Sequence, residues 1–355
     1  MKLDQIRKKI DQIDDEILNL LRERMELGLK AKKLKKFIRD KEREKQVLRR
    51  LKEHCCNLHL IEPDFIEKFF SEVIEENRKL QEKEKCLIGF QGEHGAFGEV
   101  AAKFYDQNLV TIPCHEFSDV FEGVQEGSLD LGIVPVENSL GGSINQVNEQ
   151  LLKSSLKVLA AVKLQINHCL LALPEAHLRD IKTVYSHPQA LSQCRSFLTQ
   201  KRLESRPFYD TAGAARMLKK EALNTAAAIA SHLCGKLYNL KIIKDNIEDN
   251  SSNFTRFFIL AKEEKRTEAN RCSIIFSLPH KAGALFSILE IFARAKINLT
   301  RVESFPQRDN PGCYVFFLDF ESKRNLNQIS KILEEVRSKT KMLKYLGCYK
   351  EEVFQ

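Results

Sequence analysis

The first 85 residues contain one glycine, Gly28, and one proline, Pro63. With so few breakers, the backbone of this stretch favours helix over most of its length. Ile6, Ile10, Ile13, Ile17, Leu20 and Leu27 recur at three-, four- and seven-residue steps, the stripe of one long amphipathic helix. A helix of about thirty residues spans about 45 Å, far longer than a compact domain of this size needs. It cannot bury its stripe alone, so the pattern predicts a partner chain, in a homodimer or a higher homo-oligomer. A second helix is expected over residues 40–54. A third opens at Pro63-Asp64, where proline suits the first turn, and carries Phe65, Phe69, Phe70, Val73, Ile74 and Leu80 on its apolar face.

The rhythm changes after Lys85. Residues 86–90 read as a short strand, followed by the glycine-containing run Gln91-Gly92-Glu93-His94-Gly95-Ala96-Phe97-Gly98 and a helix. Short apolar strands at 132–136, 160–166, 182–185, 226–230 and 256–260 then alternate with helices. That alternation predicts an α/β domain with a largely parallel sheet, whose ligands bind outside the carboxyl ends of the strands. Residues 262–270 read as a charged linker. From 271 to 353 the pattern is strand-helix-strand-strand-helix-strand, a ferredoxin-like α+β arrangement. Its strands are expected at 272–278, 297–305, 314–320 and 343–349, its helices at 284–295 and 325–340. The chain is therefore read as multidomain: all-α over 1–85, α/β over 86–262 and α+β over 271–353.

Bulk properties narrow the function. The 355 residues carry a formal charge of +8, with basic residues interleaved with acids and no basic arm mixed with aromatics. The interleaving speaks against a nucleic-acid partner, and small dianionic substrates make equal use of a positive balance, so composition alone does not choose between them. No opening apolar segment follows a basic start, and no run of about eighteen apolar residues occurs, so the expectation is a cytoplasmic protein without a membrane span. Ten cysteines without CxxC spacing are read as reduced thiols.

Three polar clusters close apolar runs: Asn253-Phe254-Thr255-Arg256-Phe257, Thr183-Val184-Tyr185-Ser186-His187-Pro188-Gln189, and Val134-Pro135-Val136-Glu137-Asn138-Ser139-Leu140-Gly141-Gly142-Ser143. Together they resemble the signature segments of the prephenate dehydratases. The resemblance implies an enzyme that removes carbon dioxide and a ring hydroxyl from prephenate. Such an enzyme must hydrogen-bond or protonate the leaving hydroxyl and hold two carboxylates. Thr255 is then the candidate for the hydroxyl and Arg256 for a carboxylate. Glu137 is an alternative proton donor, and Asn138, Ser139, Ser186 and Gln193 are further donors. Asp210-Thr211-Ala212-Gly213 reads as a helix start, offering amides to an anion or simply capped by Thr211.

The helical segment resembles the all-helical chorismate mutases. Their reaction places growing negative charge on an ether oxygen, so it needs cations and donors rather than a nucleophile. By resemblance, Arg7, Arg24 and Arg43 hold carboxylates, Lys35 and Gln81 meet the ether oxygen, and Asp40 and Glu44 meet the hydroxyl; Asn77, which departs from the small hydroxyl residue common in relatives, is added to the substrate-binding set. Spacing adds a test. Arg24 and Lys35 lie eleven residues apart, close to three turns, on one helix face. Arg7 and Arg24 lie seventeen apart, about 25 Å along the axis. One small ligand cannot touch both, so Arg7 is expected to serve a second chain.

The last segment is similar to ACT regulatory domains. Gly283, Ala284 and Leu285 at a helix start, with Glu303 and Ser304 on a strand, are by resemblance the phenylalanine-binding residues. Phe305 stands where the family pattern has arginine, and Gly312-Cys313 where an aromatic is common. The resemblances imply no cofactor and no metal. Chorismate and prephenate are the expected substrates and phenylalanine the effector. Arogenate dehydration, and a non-catalytic amino-acid sensor dimerised by its helices, are the alternatives.

Overall fold

The computed structural model describes residues 3–264, 268–306, 314–321 and 326–354. Gly312, Cys313 and the start of the expected helix at Asn325 lie outside them. Three helices open the chain: α1 (Leu3–Leu34), α2 (Lys41–Cys55) and α3 (Pro63–Glu82). Asp40 caps α2 by accepting from the Arg43 amide at 2.9 Å, and Pro63 occupies the first turn of α3. The α1 stripe remains bare in the single chain: Ile6, Ile10, Ile13, Ile17 and Leu20 are all exposed.

The α/β region forms two lobes. The first holds β1 (Leu87–Gln91), α4 (Phe97–Tyr105), β2 (Val110–Cys114), α5 (Phe117–Glu126), β3 (Leu131–Asn138), the short β4 (Gly142–Ser143), α6 (Asn145–Lys153) and β5 (Lys157–Gln165). The second holds β6 (Cys169–Ala172), β7 (Thr183–Ser186), α7 (Pro188–Gln193), α8 (Arg195–Gln200), β8 (Glu204–Pro207), α9 (Thr211–Glu221), β9 (Ala226–Ala230), α10 (His232–Leu237) and β10 (Lys241–Lys244). The chain then returns to the first lobe as β11 (Phe254–Ala261), between β3 and β5.

This arrangement corrects the expectation of a largely parallel sheet. Strands β1, β2 and β3 are parallel, but β11 runs antiparallel to both neighbours, and β6 runs antiparallel to β9 and β10 in the second sheet. A return strand entering from the other lobe meets the sheet from the opposite end. Consequently the start of β11, and not its end, lies beside the carboxyl end of β3.

The C-terminal domain comprises β12 (Arg271–Ser277), α11 (Ala284–Arg294), β13 (Leu299–Pro306), β14 (Tyr314–Glu321), α12 (Leu326–Lys339) and β15 (Met342–Phe354). Strand β15 outruns the expected 343–349. Its first part pairs with β12, and Lys350 to Phe354 pair in parallel with β5, so one sheet runs β13-β14-β12-β15-β5-β11-β3-β1-β2. Cys272 and Cys348, register partners on β12 and β15, form a disulfide, which corrects the reading of all thiols as reduced. Strand pairing across 76 residues is invisible to cysteine spacing. No described helix is long and apolar enough to cross a membrane.

Gly347 pairs with Ser273 of β12, shortly before β15 passes to β5 at Lys350. Its φ is +138°, and an added Cβ would lie 2.8 Å from the Val158 carbonyl oxygen on β5. Gly347→Ala is expected to destabilise the chain by about 1–3 kcal/mol, seen as a lower urea midpoint. An unchanged midpoint would show that β15 does not press on β5 there.

Candidate active sites

A cavity of about 480 Å3 opens between α1, α2 and α3. Arg24, Gly28, Ala31 and Lys35 reach it from successive turns of one face at the end of α1. Asp40, Arg43, Glu44, Val47 and Arg50 come from α2 and its cap, and Asn77 and Gln81 from α3. The cavity thus gathers every expected mutase residue except Arg7, which is exposed near Asp4 at the far end of α1. Arg50 escaped the sequence reading, although Arg43, Val47 and Arg50 follow helical spacing on one face.

Asn77 is buried, donates to the Met25 carbonyl at 3.3 Å and accepts from the Gln81 amide. Gly28 permits this approach, since a Cβ there would lie 2.1 Å from the Asn77 amide oxygen. Burial holds the Arg24 pKa below its ordinary value, a sign of a partly desolvated cation ready to pair with an anion.

A second cavity, also about 480 Å3, lies between the two lobes. Gln91 and Asn138 reach it from the carboxyl ends of β1 and β3, and Thr255 and Phe257 from the start of β11. The second lobe contributes His187, Gln189, Gln193 and Thr211. Thr255 is 8% exposed, and its hydroxyl oxygen accepts from the Asn138 amide at 3.0 Å. The Asn138 carbonyl in turn accepts from the amides of Leu140 and Gly141, so the amide orientation is fixed by the turn. In this bond the Thr255 oxygen is the acceptor, so its own proton is not used in it.

The Gln193 side-chain oxygen accepts from His168 Nε2 at 2.9 Å, and burial holds that histidine below its ordinary pKa. His168 was missed by sequence reasoning, and Gln189 closes one of the signature clusters but was given no role there. Each stands at the edge of an apolar run, the same signal that exposed the other clusters. Asp210, not Thr211, caps α9, accepting from the Ala212 amide at 2.9 Å. The lining residues include no lysine or arginine.

Four expected residues lie elsewhere. Arg256 follows Thr255 on an extended strand and therefore leaves the opposite face, where it meets Asp319, Glu351 and Tyr349. Glu137 stands opposite Arg256 in register and does not line the cavity, so it is not placed as the proton donor. The Ser186 hydroxyl is buried and donates to the Ile229 carbonyl at 2.6 Å. Ser139 donates to the Ser252 carbonyl at 3.0 Å and accepts from the Phe254 amide, tying two loops together.

Comparison with known proteins matches residues 6–82 to chorismate mutase type II, 88–265 to prephenate dehydratase and 273–338 to the ACT domain. A bifunctional chorismate mutase/prephenate dehydratase of Aquifex aeolicus is 33% identical over 365 residues, covering 100% of this chain and 99% of its own. The chain belongs to the bifunctional chorismate mutase/prephenate dehydratase family. An Arabidopsis thaliana relative named arogenate dehydratase/prephenate dehydratase 2 is 40% identical over 75% of this chain and 73% of its own. The crystal structure of a prephenate dehydratase from Arthrobacter aurescens in complex with L-Phe aligns with TM-score 0.68 and 27% identity, over 74% of this chain and 89% of that one.

In the ACT domain, Gly283 caps α11, so Ala284 and Leu285 open the helix. Glu303 pairs with Arg301 at 2.6 Å and accepts from Ser143 of the dehydratase domain, leaving exposed Ser304 as the strand residue that faces outward. Phe305 is buried in an apolar cluster with Ile275, Val315 and Phe317, a place that suits a phenyl ring and not a guanidinium.

Mutase and dehydratase domains are joined by a buried charge cluster. His94 lies between Glu26 of α1, at 2.9 Å, and Glu99 of α4, at 3.0 Å. Burial opposes a charged ring, yet hydrogen bonds to both carboxylates outweigh it and raise the His94 pKa from 6.5 to about 9. The folded value exceeds the unfolded one, so this stabilisation is complete below about pH 6.5 and disappears as the pH rises through about 9. His94→Gln is expected to cost on the order of 2–3 kcal/mol at pH 6 and progressively less towards pH 10. Urea titrations of both proteins across that range check this; a pH-independent difference would contradict a charged His94.

Proposed function

We propose that this chain rearranges chorismate to prephenate in its helical domain and converts prephenate to phenylpyruvate between its lobes. Phenylalanine acts as the feedback effector at the ACT domain. The observation that carries the reading is two separate cavities of different chemistry: one lined by Arg24, Lys35, Arg43, Arg50 and Arg78, the other without lysine or arginine and with Asn138 and Thr255 in its wall.

In the first, Arg24 and Arg43 hold the chorismate carboxylates while Lys35 and Gln81 donate to the ether oxygen as its bond breaks. Stabilising charge that grows only in the transition state is what accelerates such a step. Asn77 orients Gln81 by accepting from its amide. Asp40 and Glu44 serve the substrate hydroxyl, with Asp40 also capping α2. Arg7 serves the site of a second chain, because the α1 stripe around it is exposed and packs best against a copy of itself. The functional unit is therefore a homodimer or a larger homo-oligomer.

In the second, the electron pair of the breaking carbon–carboxylate bond completes the aromatic ring and expels the hydroxyl. Carbon dioxide leaves, and one proton converts the hydroxyl to water. Thr255 donates to that hydroxyl, with Asn138 holding the Thr255 oxygen. Gln193, braced by His168, supplies another contact. The remaining carboxylate is held by neutral donors at the start of α4, which begins at the cavity with Phe97 and has no side-chain cap, whereas Asp210 already accepts from the Ala212 amide in the first turn of α9. A mutase domain on the same chain supplies prephenate, which favours it over arogenate. The Arthrobacter aurescens relative solved with L-Phe supports phenylalanine as the effector, with Gly283, Ala284, Leu285 and Ser304 nearest to it.

Arg7→Ala is expected to lower mutase kcat/KM by roughly 100-fold or more while sparing prephenate turnover. Thr255→Ala does the reverse. Mixing Arg7→Ala with Lys35→Ala chains restores mutase activity by creating one intact site per heterodimer. Equal loss of both activities in either single variant, or no recovery on mixing, would contradict the reading.

A further inference from the structure

Side chains alternate along β11, and the strand pairs with β5 without a shift from Phe254 to Ile259. Thr255 and Phe257 therefore face the interlobe cavity, while Arg256 and Phe258 face the ACT domain. Arg256 is 9% exposed, and each of its three nitrogens has a partner there. Nε donates to Glu351, one terminal nitrogen to Asp319, and the other to the Tyr349 hydroxyl at 2.9 Å. The guanidinium also lies 5.0 Å from the centre of the Phe258 ring, which stands edge-on to Tyr349. Tyr349 in turn shares a 2.6 Å hydrogen bond with Ser273. Asp319 belongs to β14, Tyr349 and Glu351 to β15, and Ser273 to β12. Two ACT strands thus meet one side chain adjacent to Thr255, and a third reaches it through Tyr349.

We infer that Arg256 is a positioning residue of the dehydratase: by fastening β11 to the ACT sheet, it fixes the Thr255 hydroxyl, and displacement of the ACT strands reaches the reaction through this guanidinium. The regulatory half rests on the phenylalanine effector proposed above; the positioning half does not. A fork of fixed donors matched to two carboxylates and a hydroxyl transmits a shift of β14 or β15 directly to the backbone of β11. Lysine, a single point charge on a flexible stem, cannot hold all three partners at once.

The test uses the full chain. Arg256→Lys is expected to lower dehydratase kcat about tenfold, with the KM for prephenate within about twofold and chorismate turnover unchanged. A KM raised about tenfold at constant kcat would mean that Arg256 touches substrate, and unchanged kcat and KM would mean that it positions nothing. Either result overturns the inference. Asp319→Asn lies outside the cavity and weakens the same contact. It is expected to bind phenylalanine by calorimetry within about threefold of wild type, while inhibition of the dehydratase weakens at least about fivefold. Full inhibition in that variant would overturn the coupling, and Glu351→Gln repeats the measurement if Asp319→Asn does not fold. If wild type binds no phenylalanine, the effector reading fails alone, and the kcat-against-KM split still decides the role of Arg256.

Discussion

The buried contact between Arg256 and the carboxylates of Asp319 and Glu351 is the interaction on which the arrangement of the dehydratase and ACT domains depends. A guanidinium withdrawn from water must be met by charge and by hydrogen-bond acceptors, or it destabilises the fold. Here two carboxylates and a tyrosine hydroxyl meet it, and they hold its pKa above the ordinary arginine value despite burial. Removing one partner from such a cluster strands the other in a dry site, at a cost on the order of 3–5 kcal/mol. The same strand turns Thr255 towards the reaction. One alternating pair of residues thus gives β11 a catalytic face and a regulatory face.

A second connection runs through α1. Its C-terminal half forms a wall of the mutase cavity, while Glu26 reaches His94 and Lys33 pairs with Asp130 of the dehydratase domain at 2.7 Å. Its N-terminal half leaves an apolar stripe uncovered. One helix therefore bounds a site, docks a neighbouring domain and offers an oligomer surface. Its length, excessive for a compact domain, has a use in each of these.

The helical domain was the most legible part of the sequence. Scarce glycine and proline mark its helices, Asp40 and Pro63 mark two of their starts, and helical spacing brought Arg24, Lys35, Arg43 and Gln81 to one cavity. The motif segments also led to Asn138, Thr255 and Gln193. What the sequence did not reveal is direction and facing. A strand buried on both sides reads the same whether parallel or antiparallel, so the return of β11 and the mixed sheets were hidden. Adjacent motif residues such as Thr255 and Arg256 look like one site, although the pleat separates them. The last strand was expected to stop at residue 349, yet Lys350 to Phe354 add β15 to the dehydratase sheet. The Cys272–Cys348 bond depends on that same long-range pairing. Glu137 looked like an acid in a pocket only while its strand face was unknown.

The most direct test of the account is the turnover of chorismate, and separately of prephenate, by the pure full-length protein, following phenylpyruvate with and without phenylalanine. Phenylpyruvate from both substrates, with the dehydration step suppressed by phenylalanine, is the predicted result. Prephenate accumulating from chorismate without phenylpyruvate would contradict it, leaving a mutase joined to a sensor.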